Sequence, residues 1–131
     1  MARILACFVA AVVAVSAPLT APLSAHHWFN ADYDASHTFT MTGVVTRFEW
    51  KNPHALFYMG VADGRGGTTT WLMEMGSPNS LTRAGWSRSA LRVGETVTVE
   101  GLASRGGEPM GYPLAVVTEA GRRLVAAPRP Q

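Results

Sequence analysis

Leu91-Arg92-Val93-Gly94-Glu95-Thr96-Val97-Thr98-Val99-Glu100-Gly101 is the stretch whose reading decides the fold. Val97 and Val99 alternate with Thr96, Thr98 and Glu100, the period-two pattern of a strand with one face buried. Leu91 to Glu95 reads as the turn that leads into it. Upstream, Ser77-Pro78-Asn79 predicts a short helix to about Ala84: Ser77 is a good N-cap, Pro78 fits the first turn, and Gly85 closes the end. Three strands precede that helix. Val44, Thr46, Phe48 and Trp50 alternate with Val45, Arg47 and Glu49; Lys51-Asn52-Pro53 breaks this first strand. The second, His54 to Val61, is apolar on both faces. Asp63-Gly64-Arg65-Gly66-Gly67 reads as a hairpin loop before the third, Thr68 to Met75. Downstream, Gly106-Gly107 turns into a fifth strand over Leu114–Thr118, and Gly121 leads to a short apolar end, Leu124-Val125.

Three strands, one short helix and two strands predict an all-β domain of about residues 40–125. Five short strands with the helix between the third and fourth follow the order of the OB-fold, a small closed barrel. The stretch 91–101 is similar to the approach to the fourth strand in such barrels. A small β-sandwich uses the same number of strands and is the alternative architecture.

The ends read differently. Arg3, the apolar run from Ile4 to Val15 and the small residues up to Ala25 form an export leader, residues 1–25. An apolar run of this length is too short to span a membrane. Residues 26–39 read as a polar, aromatic arm with neither helical nor strand periodicity, and 126–131 as a disordered tail. The sole cysteine, Cys7, falls in the leader, so the mature chain has neither disulfide nor thiolate chemistry. Without Arg3, ten basic side chains face nine acidic ones and no dense basic run occurs, which speaks against nucleic acid as a partner. A periplasmic or secreted module, meeting a small ligand or a periplasmic protein, is the expectation.

The chain also resembles an uncharacterised family of small exported bacterial proteins, a domain of unknown function. The resemblance rests on Ala25-His26-His27, Gly43-Val44-Val45-Thr46, Glu49-Trp50-Lys51-Asn52-Pro53-His54, Glu74-Met75-Gly76-Ser77-Pro78-Asn79, Arg83-Ala84-Gly85-Trp86 and Val93-Gly94-Glu95. It implies export and a β-barrel-like domain, and it brings no reaction.

Two groups of residues could carry chemistry. With the first hairpin centred on Asn52 and the second on Gly64-Arg65, Trp50 lies across from His54, His54 from Met75, and Glu74 from Ala55. Trp50, His54, Glu74 and Met75 then gather at one end of the barrel, beside the helix start at Ser77-Pro78-Asn79, and Trp50, His54, Glu74 and Asn79 are the candidate ligand-binding residues, where OB barrels commonly bind. The same residues have a structural reading: Asn52-Pro53 as a plain turn, His54 as its hydrogen-bond partner, Glu74 as a cap or a partner of Arg83, and Trp50, Trp71 and Trp86 as core.

The second group is His26 and His27. Cleavage after Ala25 gives a mature amino terminus whose amine and imidazole can close a chelate ring on one metal ion. Nitrogen donors of this kind suit Cu(II). His37 or His54 could add a ligand. Cleavage one residue earlier puts histidine third, another chelating arrangement. A hydrolase built on Glu49, His54 and Glu74 is a further alternative; no nucleophile with an adjacent base is visible beside it.

Overall fold

The computed structural model describes residues 32–127. The leader 1–25, His26, His27 and the tail from residue 128 lie outside the described residues. Among the described residues from Tyr33 on, six strands and one helix follow in the order β1 (Tyr33–Glu49), β2 (Leu56–Ala62), β3 (Thr68–Glu74), α1 (Pro78–Arg83), β4 (Thr96–Ser104), β5 (Met110–Thr118) and β6 (Arg123–Val125). They form one sheet in the order β3-β2-β1-β4-β5-β6, not the two packed sheets of a sandwich. Sheet neighbours are antiparallel. A parallel pairing of β3 with β5, Leu72 opposite Met110 and Met73 opposite Gly111, bends the sheet round into a ring.

The alternation read at 96–100 is real: Val97 and Val99 are buried, and Thr98 is only half-buried. Their side chains join Val45, Phe57, Met59, Met73 and Met75 inside the ring. α1 starts as its sequence predicts. The Ser77 side chain accepts from the Ser80 N–H, a proline occupies the first turn, and Gly85 turns out of the helix at a φ of +90°. Its Leu81 is fully buried in the same core. Trp86 follows, buried, its indole N–H donating to the Val125 carbonyl at 2.8 Å and so fastening β6.

Four expectations change. Of the arm, residues 26–31 lie outside the described residues, and Tyr33 to Phe39 are the first part of β1. Their pattern is hidden by an irregularity: Tyr33 pairs with Ser104 but Thr38 with Leu102, so the β1 side carries extra residues and most of 34–38 faces solvent. The fifth strand starts at Met110 rather than Leu114; Gly111 and Pro113 mask the pattern there, and beside Pro113 β5 carries an extra residue, Leu114, opposite the Glu100–Gly101 step of β4. A sixth strand exists, too short to show periodicity. Of the supposed disordered tail, Ala126 and Ala127 are fastened, their N–H groups donating to the Leu114 carbonyl.

Candidate functional site

Strand register brings the site together. The first hairpin pairs Glu49 with Leu56, and the second pairs Leu56 with Glu74. Both registers are one residue away from those expected from turn centres at Asn52 and Gly64-Arg65. The difference matters, because a shift of one residue exchanges the two faces of a strand. With Glu74 opposite Leu56, the side chains of Glu74 and His54 share the outer face, while Ala55 and Met75 turn inward and are buried. His54 Nδ1 then lies 2.8 Å from Glu74 Oε1.

Backbone bonds hold this corner. The Ala55 N–H donates to Gly76 O and the Met75 N–H to Ala55 O, so the main chain on both sides of the pair is tied beyond the formal ends of β2 and β3.

A third residue completes the constellation. The Tyr33 hydroxyl donates to Glu74 Oε2 at 2.8 Å. Tyr33 is buried with Leu102 and Leu114 in a second small core, and its ring meets Tyr112 at 5.5 Å between centroids. Burial pushes the Tyr33 phenol well above its ordinary value, and the hydrogen bond to Glu74 and that residue's charge add to the effect. Burial likewise raises Tyr112, with the charge of Glu74 second. Both oxygens of the carboxylate are therefore engaged, one by a phenol and one by an imidazole. Ionised, Glu74 only accepts, so His54 Nδ1 carries the hydrogen. A cleft of about 450 Å³ opens beside Tyr33 and Glu74, lined also by Asp32, Ser104, Arg105 and Glu108. A larger cleft of about 830 Å³, lined by Arg92, Glu95, Thr118 and Arg122 among others, holds none of the predicted site residues.

The other predicted residues lie apart. Trp50 turns inward, its ring edge-on to Phe48 at 5.9 Å and packed against the core. Asn79 is exposed on α1. Glu49, Leu56 and Glu74 stand in one row across three strands, which separates the two acidic Cα atoms by roughly 10 Å. The Glu49 carboxylate is taken by Arg47, at 2.5 Å, and by Lys51, and these cations hold it below the usual carboxylate range. Arg83 is not the partner of Glu74. His37, in β1, is largely exposed, and its Nδ1 meets Asp34 Oδ2 at 2.7 Å. Hydrogen bonds from Ser36, then His37, hold Asp34 below its ordinary value. Among the described residues no group of three or more His, Cys, Asp or Glu side chains converges as a metal site. Nor is any helix among them long and apolar enough to cross a membrane.

Tyr33 is the residue that sequence reasoning missed. It stands 41 residues before Glu74, in a stretch with no periodicity, and only the hydrogen-bonding need of a buried phenol hinted at a partner. No curated protein matches the sequence significantly. Residues 12–113 match a family of unknown function, DUF6152, and on that match, which spans most of its length, the chain belongs to that family.

Proposed function

We propose that this protein is exported, loses residues 1–25, and works in the periplasm or outside the cell as a binding or accessory module on an OB-like barrel. The strand order, the helix between β3 and β4, and the parallel contact of β3 with β5 support the OB-like reading. The outer face at Tyr33, Glu74 and His54 is the binding face. One observation carries this: a carboxylate with both oxygens engaged by side chains from two other parts of the chain fixes an imidazole in place. The hydrolase alternative loses support because Glu49 is neutralised by Arg47 and Lys51.

The test begins with protein recovered from the periplasm of its producing cells. Its intact mass reports the leader, and native mass spectrometry reports what stays bound. The expected result is a chain starting at His26 with an adduct that His54→Ala and Glu74→Ala lose. Turnover of p-nitrophenyl acetate or bis-p-nitrophenyl phosphate, abolished by His54→Ala, would establish the hydrolase instead.

A second reading, copper held at the mature amino terminus by His26 and His27, is favoured by the path of the chain. Residue 32 leads directly into Tyr33, whose hydroxyl ends one carboxylate away from His54.

A further inference from the structure

We infer that the cleft between the loop before β4 and the turn joining β5 to β6 is a second binding site, and that it takes a small zwitterion: one molecule carrying an ammonium and a carboxylate, as a short peptide with free ends does. This goes beyond the binding face at Tyr33, Glu74 and His54. The two places lie towards opposite ends of β4, where Ser104 pairs with Tyr33 and Val97 with Thr118, roughly 23 Å apart along the strand.

The cleft has a volume of about 830 Å³, within the range of small-molecule sites. Backbone bonds fix both of its walls. In the turn, the Thr118 N–H donates to Arg122 O, the Gly121 N–H to Thr118 O, and the Arg122 N–H to Thr118 Oγ1. Thr118 itself is only 6% exposed. On the other wall, the Gly94 N–H donates to Val45 O and the Val45 N–H to Glu95 O, which ties the loop to β1. Arg122 reaches from one wall to the other: its Nη2 donates to Ala90 O at 3.0 Å. Its guanidinium is therefore held in place by a neutral carbonyl and keeps its charge and the rest of its donors.

Charge decides what such a cleft accepts. Arg92 and Arg122 line it together with Glu95 and Glu119. Among the described residues, no ion pair joins either arginine to either glutamate. Elsewhere on this domain opposite charges do meet: Arg123 grips Glu100 through two nitrogens, and Arg47 and Lys51 share Glu49. The two glutamates also differ. Oε2 of Glu95 accepts the Arg92 N–H at 3.0 Å, whereas the Glu119 side chain is bound by no other described residue. A simple anion in this cleft meets two carboxylates, and a simple cation meets two guanidiniums. A zwitterion meets a complementary charge at each end. Its carboxylate matches the planar fork of Arg122, with Arg92 as a second cation, and its ammonium falls to Glu119.

The test is a titration of the folded protein with L-alanyl-L-alanine, followed by amide shifts in nuclear magnetic resonance. The amides of Glu95 and of Thr118 to Arg122 should move along one saturable curve, with a Kd below about 1 mM. N-acetyl-L-alanyl-L-alanine and L-alanyl-L-alaninamide, each lacking one charge, should bind about 10-fold more weakly, the loss expected for one charged hydrogen bond. Arg92→Gln and Glu119→Gln change side chains that hold nothing in the fold, and each should weaken the free dipeptide about 10-fold as well. In Glu119→Gln the free and the N-acetylated dipeptide should bind alike, because the group that recognises the ammonium is gone. Arg122→Lys, which keeps the charge without the fork, should fall between the wild type and Arg122→Gln. Equal affinity of the wild type for free and N-acetylated dipeptide would make the cleft a plain anion site and overturn the inference. So would the absence of saturable shifts up to about 10 mM, or shifts confined to the surroundings of Tyr33, Glu74 and His54.

Discussion

Tyr33 shows what a single buried phenol does to the stability of this domain. Its hydroxyl donates to Glu74 from a site only 2% exposed, and burial raises its ionisation above the ordinary value. In the unfolded chain the phenol titrates near 10. The folded state therefore keeps a proton that the unfolded state releases, and stability falls as pH rises. The contribution is complete below about pH 10 and is lost as pH climbs towards the raised folded value. The chain has three tyrosines and a single lysine, so few groups titrate alongside it. The urea midpoint should fall between about pH 9 and 11 in the wild type and fall less steeply in Tyr33→Phe. Some slope should persist, because Tyr112 is shifted the same way. Equal slopes in the two proteins would refute this role for Tyr33. At neutral pH, Tyr33→Phe removes a donor from a carboxylate and should cost about 1–3 kcal/mol by urea unfolding. The His54–Glu74 half of the site was legible in the sequence because two short hairpins link it. Tyr33 was not, because no local rule connects residues so far apart along the chain.

Among the elements, the ring of Phe39 on β1 lies close over Gly101 of β4 and Gly111 of β5. A Cβ on Gly111 would fall 2.6 Å from Phe39 Cζ and 3.0 Å from Met73 Sδ; a Cβ on Gly101 would fall 2.7 Å from the Tyr112 carbonyl oxygen and 2.8 Å from Phe39 Cζ. The two glycines therefore respond differently to a partner change. Gly111→Ala and Gly101→Ala should each destabilise by about 1–3 kcal/mol, the range for overpacking. Combined with Phe39→Leu, the Gly111→Ala cost should shrink, since a side chain made the clash. The Gly101→Ala cost should persist, because backbone opposes it. Denaturation of the two double-mutant cycles measures the difference, and equal coupling in both would sink the explanation. The central strands were legible from alternation because one of their faces is buried. The limits of β1 and β5 were not, because bulges, Gly111 and Pro113 interrupt the period without ending the pairing. The same limitation set both hairpin registers one residue off, since turn chemistry fixes that a chain reverses but not which residue is central.

Closure is the property of the whole molecule on which the site depends. β1 and β4 pair from Thr38 opposite Leu102 to Val44 opposite Thr96. The seam that completes the ring has only the pairs Leu72–Met110 and Met73–Gly111, with the Leu72 N–H donating to Pro109 O at 3.0 Å. Parallel pairing is slightly weaker per residue, and a seam this short is the place where the ring opens first. Leu81 works against that opening: it lies fully buried in the core that the ring encloses, and Leu81→Ala should lower global stability by about 2–5 kcal/mol. Glu74 follows Met73 directly, so the hydrogen bond from Tyr33 fastens the chain just past the seam. Native-state hydrogen exchange separates local from global opening. The Leu72 amide should exchange with a lower opening free energy than that of Val99, in the middle of β4. Tyr33→Phe should accelerate Leu72 more than Val99, because it loosens the seam as well as the whole domain. Identical protection at the two amides in the wild type would mean that the ring opens only by unfolding. In that case the fastening of Tyr33 to Glu74 would act on the molecule as a unit and not on its seam.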